Sequence, residues 1–248
     1  MGPIYILWLR QVRRYLRSRA RVLGSLGQPL LLLLALGFGF GPTFEKAGGG
    51  NYIQFLAPGI IAMGILFTGL FSGIEIVWDR KFGFLKETLV APVPRLQIVL
   101  GRTLGGATIA MFQGAIVSGI CLVAGFRVED LSMLPMALLF MTLIAVAFTA
   151  VGTIFGSILE DMQAFPVIMN FMVMPLFFFS GAIFPLGGLP KALAVATSVN
   201  PLTYGVDGLR GALTHGPAFG FGFDFAVLSV FAAVLLALGS YFFSRIEV

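Results

Sequence analysis

The chain has 248 residues, 58% of them hydrophobic and only 11% charged. A soluble domain carries about 25% charged residues to cover its surface, so this composition excludes a water-soluble globule and requires a surface that faces lipid. The net charge of +5 is then read from where the charges stand rather than from their sum, and no nucleic-acid partner is expected.

Residues 1–21 carry six arginines, from Arg10 to Arg21, with Ile4, Leu7, Trp8, Val12, Tyr15 and Leu16 at near-helical spacing between them. That pattern predicts an amphipathic helix lying in the cytoplasmic interface; the plainer alternative is a cluster of positive charge that only sets orientation. The apolar stretch that follows lacks a small-residue cleavage site and reads as a span rather than a leader. A helix needs about 20 apolar residues to cross the hydrocarbon layer. Six stretches meet that length, at about residues 22–40, 55–77, 98–124, 134–159, 165–184 and 223–243. They do not alternate in polarity and exceed barrel-strand length, so helices are expected.

The connections differ in character. Residues 41–52 and 125–132 are short. Residues 78–102, WDRKFGFLKETLVAPVPRLQIVLGR, mix charges with Phe82, Phe84, Leu85, Leu89 and Val90. A short amphipathic helix is expected from Phe84 to Val90, ended by Pro92 and Pro94. A solvated loop has no need of those apolar groups, so a docking element for another protein is expected; packing on the membrane surface is the alternative. Residues 185–222 are long and semi-apolar, broken by Pro185, Pro190, Pro201 and Pro217, with a helix-like piece at 189–199 too short to span. They predict a partly re-entrant external hairpin.

Of the lysines and arginines, twelve fall before the first stretch, between the second and third, or after the sixth, and four (Lys46, Arg127, Lys191, Arg210) fall in the other connections. The positive-inside rule makes the richer side cytoplasmic, with both termini there. Glycine pairs at four-residue spacing, Gly37/Gly41, Gly69/Gly73, Gly101/Gly105 and Gly152/Gly156, suggest close helix packing without saying which helices meet.

The chemical motifs are chiefly absences. Neither glycines 48–50 nor Gly105 and Gly106 are followed by Lys-Ser or Lys-Thr, so no Walker phosphate loop is present. There is no H-E-x-x-H and no G-x-S-x-G; His215 and Cys121 are the sole residues of their kinds, so neither a metal site nor an enzyme is expected. Glu75 is the one ionisable group expected inside a span, reaching the interface or pairing with Arg80 or Lys81. One such group gives little ground for ion coupling.

Three segments carry a resemblance to a known family. They are FLAPGIIAMGI at residues 55–65, the 78–102 loop with Asp79, Arg80, Gly83, Glu87, Leu89, Pro92, Gly101 and Arg102, and FFSGAIFPLGGLP followed by NPLTYGVDGLRGAL. Together they resemble the ABC transporter type-2 permeases, in particular the daunorubicin-resistance and nodulation-factor exporter branch. The resemblance implies an all-α polytopic protein with six transmembrane helices, an N-terminal amphipathic interface helix and re-entrant external helices before the last span. It implies one permease domain over residues 1–248, with the interface helix at 1–21, a cytoplasmic coupling loop at 78–97 and the external re-entrant region at 185–222. Asp79, Arg80, Lys81, Gly83, Phe84, Leu85, Lys86 and Glu87 are expected to couple to an ATPase. Asn200, Pro201, Tyr204, Asp207 and Arg210 form the motif before the last span. The implied partners are two cytoplasmic ABC ATPase subunits, a second permease copy or paralogue, and membrane lipid. ATP and Mg would be bound on the partner subunit, with no cofactor on this chain. The expected function is a cell-membrane permease subunit exporting an amphipathic, drug-like, lipid or glycan-linked substrate. An ion-coupled secondary transporter or channel is the alternative.

Overall fold

The computed structural model describes residues 2–46, 50–90, 92–186, 190–214 and 217–246. Expectations that fall on Gly48, Gly49, Leu189 and His215, and on the Leu89 side chain, lie outside the described residues. The described residues form helices and no strands. In chain order the helices are α1 (Pro3–Arg17), α2 (Arg19–Leu32), α3 (Gly39–Lys46), α4 (Tyr52–Phe71), α5 (Ile74–Lys81), α6 (Phe84–Val90), α7 (Arg95–Val123), α8 (Leu134–Ile158), α9 (Ala164–Phe178), α10 (Lys191–Val199), α11 (Pro201–Leu213) and α12 (Phe221–Ser244).

Among the described residues, five helical runs are long and apolar enough to cross a membrane: Arg19–Lys46, Tyr52–Lys81, Arg95–Val123, Leu131–Ile158 and Phe221–Ser244. The sixth predicted stretch is shorter than expected. Helix α9 has 15 residues and stops at Phe178, where Phe179 leaves helical geometry and Gly181 takes φ +71°. The predicted remainder of that stretch, through residue 184, is a turn whose Ala182 is fully buried. The protein is therefore an all-α polytopic membrane protein; its described residues hold five helical runs of spanning length and one shorter apolar helix. The first span is not uniform: Pro29 sits inside α2, and a π-helical turn at Leu33–Phe38 joins it to α3. A proline removes a helix hydrogen bond and a π turn adds a residue to the ladder, so both mark local bends.

Layering follows burial. Along Tyr52–Lys81, 78% of the apolar window is buried, against 22% for Arg19–Lys46 and 17% for Phe221–Ser244. Helices α4 and α8 are thus central, while α2, α9 and α12 present apolar surface outward. Lipid is as apolar as leucine, so helices in a bilayer are held by close packing rather than by the hydrophobic effect. The glycine pairs supply that closeness, and the structure settles which helices meet. A Cβ on Gly73 would run into the backbone of Gly152, and one on Gly152 or Gly156 into the carbonyls of Leu70 and Gly73. The α4–α5 run and α8 therefore cross backbone to backbone. Gly101 and Gly105 instead receive α1, with Leu7 and Gln11 lying where their Cβ atoms would stand.

Candidate functional site

Two places gather the polar residues, one at each end of the α4–α5 run. At about 1.5 Å per residue, Phe55 and Asp79 lie about 35 Å apart along that axis.

The first place lies at the end of α5. Asp79 is 5% exposed, and its two oxygens accept from Arg10 of α1 at 3.0 Å and from Arg102 of α7 at 2.6 Å; Arg14 stands 3.7 Å away. Arg102 is itself 4% exposed. One turn earlier, Glu75 is buried and pairs with Arg21 of α2 at 2.8 Å. Its partner is thus neither Arg80 nor Lys81. The rings agree with this arrangement: the guanidinium groups of Arg14 and Arg21 lie 5.6 and 5.9 Å from the Trp78 ring centroid. Tyr15 completes the tie, donating to Gln113 of α7 at 3.1 Å and meeting Ser25 of α2 at 3.2 Å. Through these contacts α5 is fastened to α1, α2 and α7 together.

Arg80 points the other way. It donates to the carbonyl oxygens of Ser157 at 2.5 Å and Leu159 at 3.5 Å, covering the last turn of α8 where carbonyls lack helix partners. Gly83 then turns the chain with φ +81°, a conformation that costs other residues a Cβ clash. Helix α6 begins directly after it. Leu85 is fully buried against Ile76, Ile98, Val99, Phe243 and Ile246. Phe82, Phe84 and Val90 are 65%, 51% and 85% exposed. Lys81, Lys86 and Glu87 are exposed as well.

The eight residues expected to act together are therefore divided. Asp79, Arg80 and Leu85 are inward anchors, Gly83 is the turn, and Phe84, Lys86, Glu87 and Lys81 form the outward face. The arginines of α1 and α2, read from sequence as an orientation signal and an interface helix, supply the partners for Asp79 and Glu75.

The second place is built on α11. Asn200 caps it, accepting from Leu202 N at 3.0 Å and donating to the Leu176 carbonyl of α9 at 2.6 Å. Pro201 takes the first turn, where no N–H is required. Tyr204 donates to the Ser198 carbonyl at 2.7 Å and meets the rings of Phe219 and Phe223. Asp207 accepts from the N–H groups of Ala218 and Phe219 at 3.1 and 2.9 Å, pinning the chain before α12. Arg210 donates to the carbonyls of Gly181 at 2.9 Å and Phe55 at 3.3 Å, with the Phe55 ring 4.1 Å beneath it. Gly59 lies against Ala182, leaving no room for a side chain. So the 55–65 segment, the turn after α9 and α11 meet at one point. Sequence reasoning missed Asp224, which is fully buried in the first turn of α12. Its position at the edge of the last apolar stretch hid it.

The described residues hold no group of three or more His, Cys, Asp or Glu at metal-binding distance. What the first place offers is an exposed apolar and charged face on α6, anchored through Leu85 to α5, α7 and α12.

The sequence matches the family model described as ABC-2 type transporter over residues 3–214. It is similar to nodulation protein J of Rhizobium leguminosarum bv. trifolii, with 30% identity over 86% of this chain and 79% of that protein. It is similar to the putative transport permease ycf38 of Cyanophora paradoxa, with 26% identity over 86% of this chain and 74% of that one. It is also similar to the inner membrane transport permease YadH of Escherichia coli (strain K12), with 26% identity over 82% of this chain and 80% of that permease.

Proposed function

We propose, on the premise that this chain belongs to the ABC-2 type transporter family, that this transport permease is the membrane subunit of an ATP-driven exporter in the cell (inner) membrane. Its cargo is amphipathic: drug-like, lipid or glycan-linked. Two cytoplasmic ABC ATPase subunits dock on it and on a second permease copy or paralogue, and they bind the ATP and Mg. Both termini lie in the cytoplasm, as the basic residues favour.

One observation carries this reading: the outward face of α6. Phe84 and Val90 are exposed while Leu85 beside them is fully buried. An apolar face held rigid by its own anchor is suited to a partner's groove. Closure of the ATPase pair pushes on Phe84 and Glu87. Leu85 and the Asp79 ion pairs pass the displacement to α5, α1 and α7. In this mechanism the permease residues position and transmit, and the partner supplies the hydrolysis.

The experiment is reconstitution of the chain with and without a cytoplasmic ABC ATPase. Alone it hydrolyses no ATP. With the ATPase it gives cargo-stimulated hydrolysis, and Phe84→Ala or Glu87→Lys reduces stimulation or assembly. Sustained transport by the chain alone, driven by an ion gradient, overturns the proposal in favour of a secondary transporter.

A further inference from the structure

A cavity of about 360 Å³ lies between the α1–α2 junction and the α4–α5 run. That volume falls within the roughly 300–1,000 Å³ of small-molecule sites. Its deep wall is apolar, formed by Phe67, Phe71, Ile74 and Ile109, with the two phenylalanine rings stacked 4.3 Å apart. Gly24 belongs to the opposite wall and has no heavy atom within 4 Å of where its Cβ would stand.

The rim is charged. Arg21, Glu75 and Trp78 belong to it. The Glu75 side chain is 8% exposed, whereas that of Arg21 is 34% exposed. Within the Arg21–Glu75 pair the guanidinium side is therefore the more accessible one to an arriving molecule. The indole N–H of Trp78 is buried and finds no acceptor among the described residues.

We propose that this cavity binds a single-chain amphiphile with an anionic head, the chain against Phe67 and Phe71 and the head at Arg21. The proposal rests on the exporter reading only in giving that amphiphile a destination. Binding itself requires no ATPase.

The test uses the chain's two tryptophans. In a Trp8→Phe background, Trp78 is the sole fluorophore. The protein is placed in phosphatidylcholine nanodiscs and titrated with undecyl phosphate brominated at the chain carbon next to the head. Saturable quenching of Trp78 is expected. The same chain with a trimethylammonium head gives none that saturates. Arg21→Gln combined with Glu75→Gln removes the charge without stranding a partner and weakens binding about tenfold. Gly24→Leu fills the space and abolishes the saturable part. Quenching that rises linearly with mole fraction and is equal for both heads reports bulk lipid and overturns the proposal. The head comparison needs no cavity variant, so it stands even where Gly24→Leu does not fold. An export assay that fails while saturable binding persists counts against the exporter reading alone.

Discussion

Asp79 illustrates how a residue's place differs from its motif. In the sequence it opens a charged loop and reads as part of a docking surface. In the fold it is buried beneath three guanidinium groups, two of them from a helix more than sixty residues earlier. Local sequence carries no information on which distant charge will arrive, so this pairing was not legible, whereas the turn at Gly83 and the proline end of α6 were. Removing one partner of a buried ion pair leaves the other uncompensated, at about 3–5 kcal/mol. Asp79→Ala is therefore expected to lower thermal stability by about that amount, because Arg102 is left buried. Arg10→Ala is expected to cost no more than about 1 kcal/mol, since its side chain is 41% exposed and Asp79 keeps two partners. Thermal unfolding of the purified protein in detergent measures both, and equal losses would refute the ranking.

At the scale of the helix, α6 has one buried side chain and several exposed ones, and the two kinds should separate by experiment. Leu85→Ala is expected to destabilise the protein by about 2–5 kcal/mol, as a large-to-small change in a packed cluster. Phe84→Ala is expected to leave the melting temperature nearly unchanged while reducing ATPase stimulation. A melting shift for Phe84→Ala as large as that for Leu85→Ala would show that α6 faces inward. The glycine pairs separate in the same way. Gly152→Leu drives a side chain into the carbonyl of Leu70 and is expected to prevent stable folding, whereas Gly41→Ala, with nothing within 4 Å, stays within about 0.5 kcal/mol. Expression level and size-exclusion profile distinguish them. Hydropathy placed the long helices well because length and composition suffice for that. It carried α9 too far because the buried turn at Ala182 is as apolar as a helix, while the backbone leaves helical geometry at Phe179 and turns at Gly181 with positive φ.

For the whole molecule, the division of twelve basic residues against four predicts sidedness. The native Cys121 is buried and should stay silent to a membrane-impermeant thiol reagent. Cysteine placed at Glu87 or Arg245 is expected to react only in inside-out vesicles, and cysteine at Lys191 only in right-side-out ones. Labelling of Glu87→Cys from outside would invert the topology and remove α6 from the reach of any cytoplasmic partner. The family and its helical architecture were legible in three spaced segments of sequence. That two of those segments, around Phe55 and around Arg210, touch through Gly181 was legible only in the fold.

The backbone crossing of α4–α5 with α8 has a mechanical consequence. With Gly73 seated against Gly152 and no side chains between them, the two rods have no cushion to shear, and one cannot slide along the other without its carbonyls climbing the neighbour's ridge. A displacement delivered near Asp79 therefore moves a stiff girder. Compliance must lie elsewhere in the chain. Ser18, which breaks the helix between α1 and α2 with φ −97° and ψ 83°, and the π turn at Leu33–Phe38 are the joints where such a frame can flex.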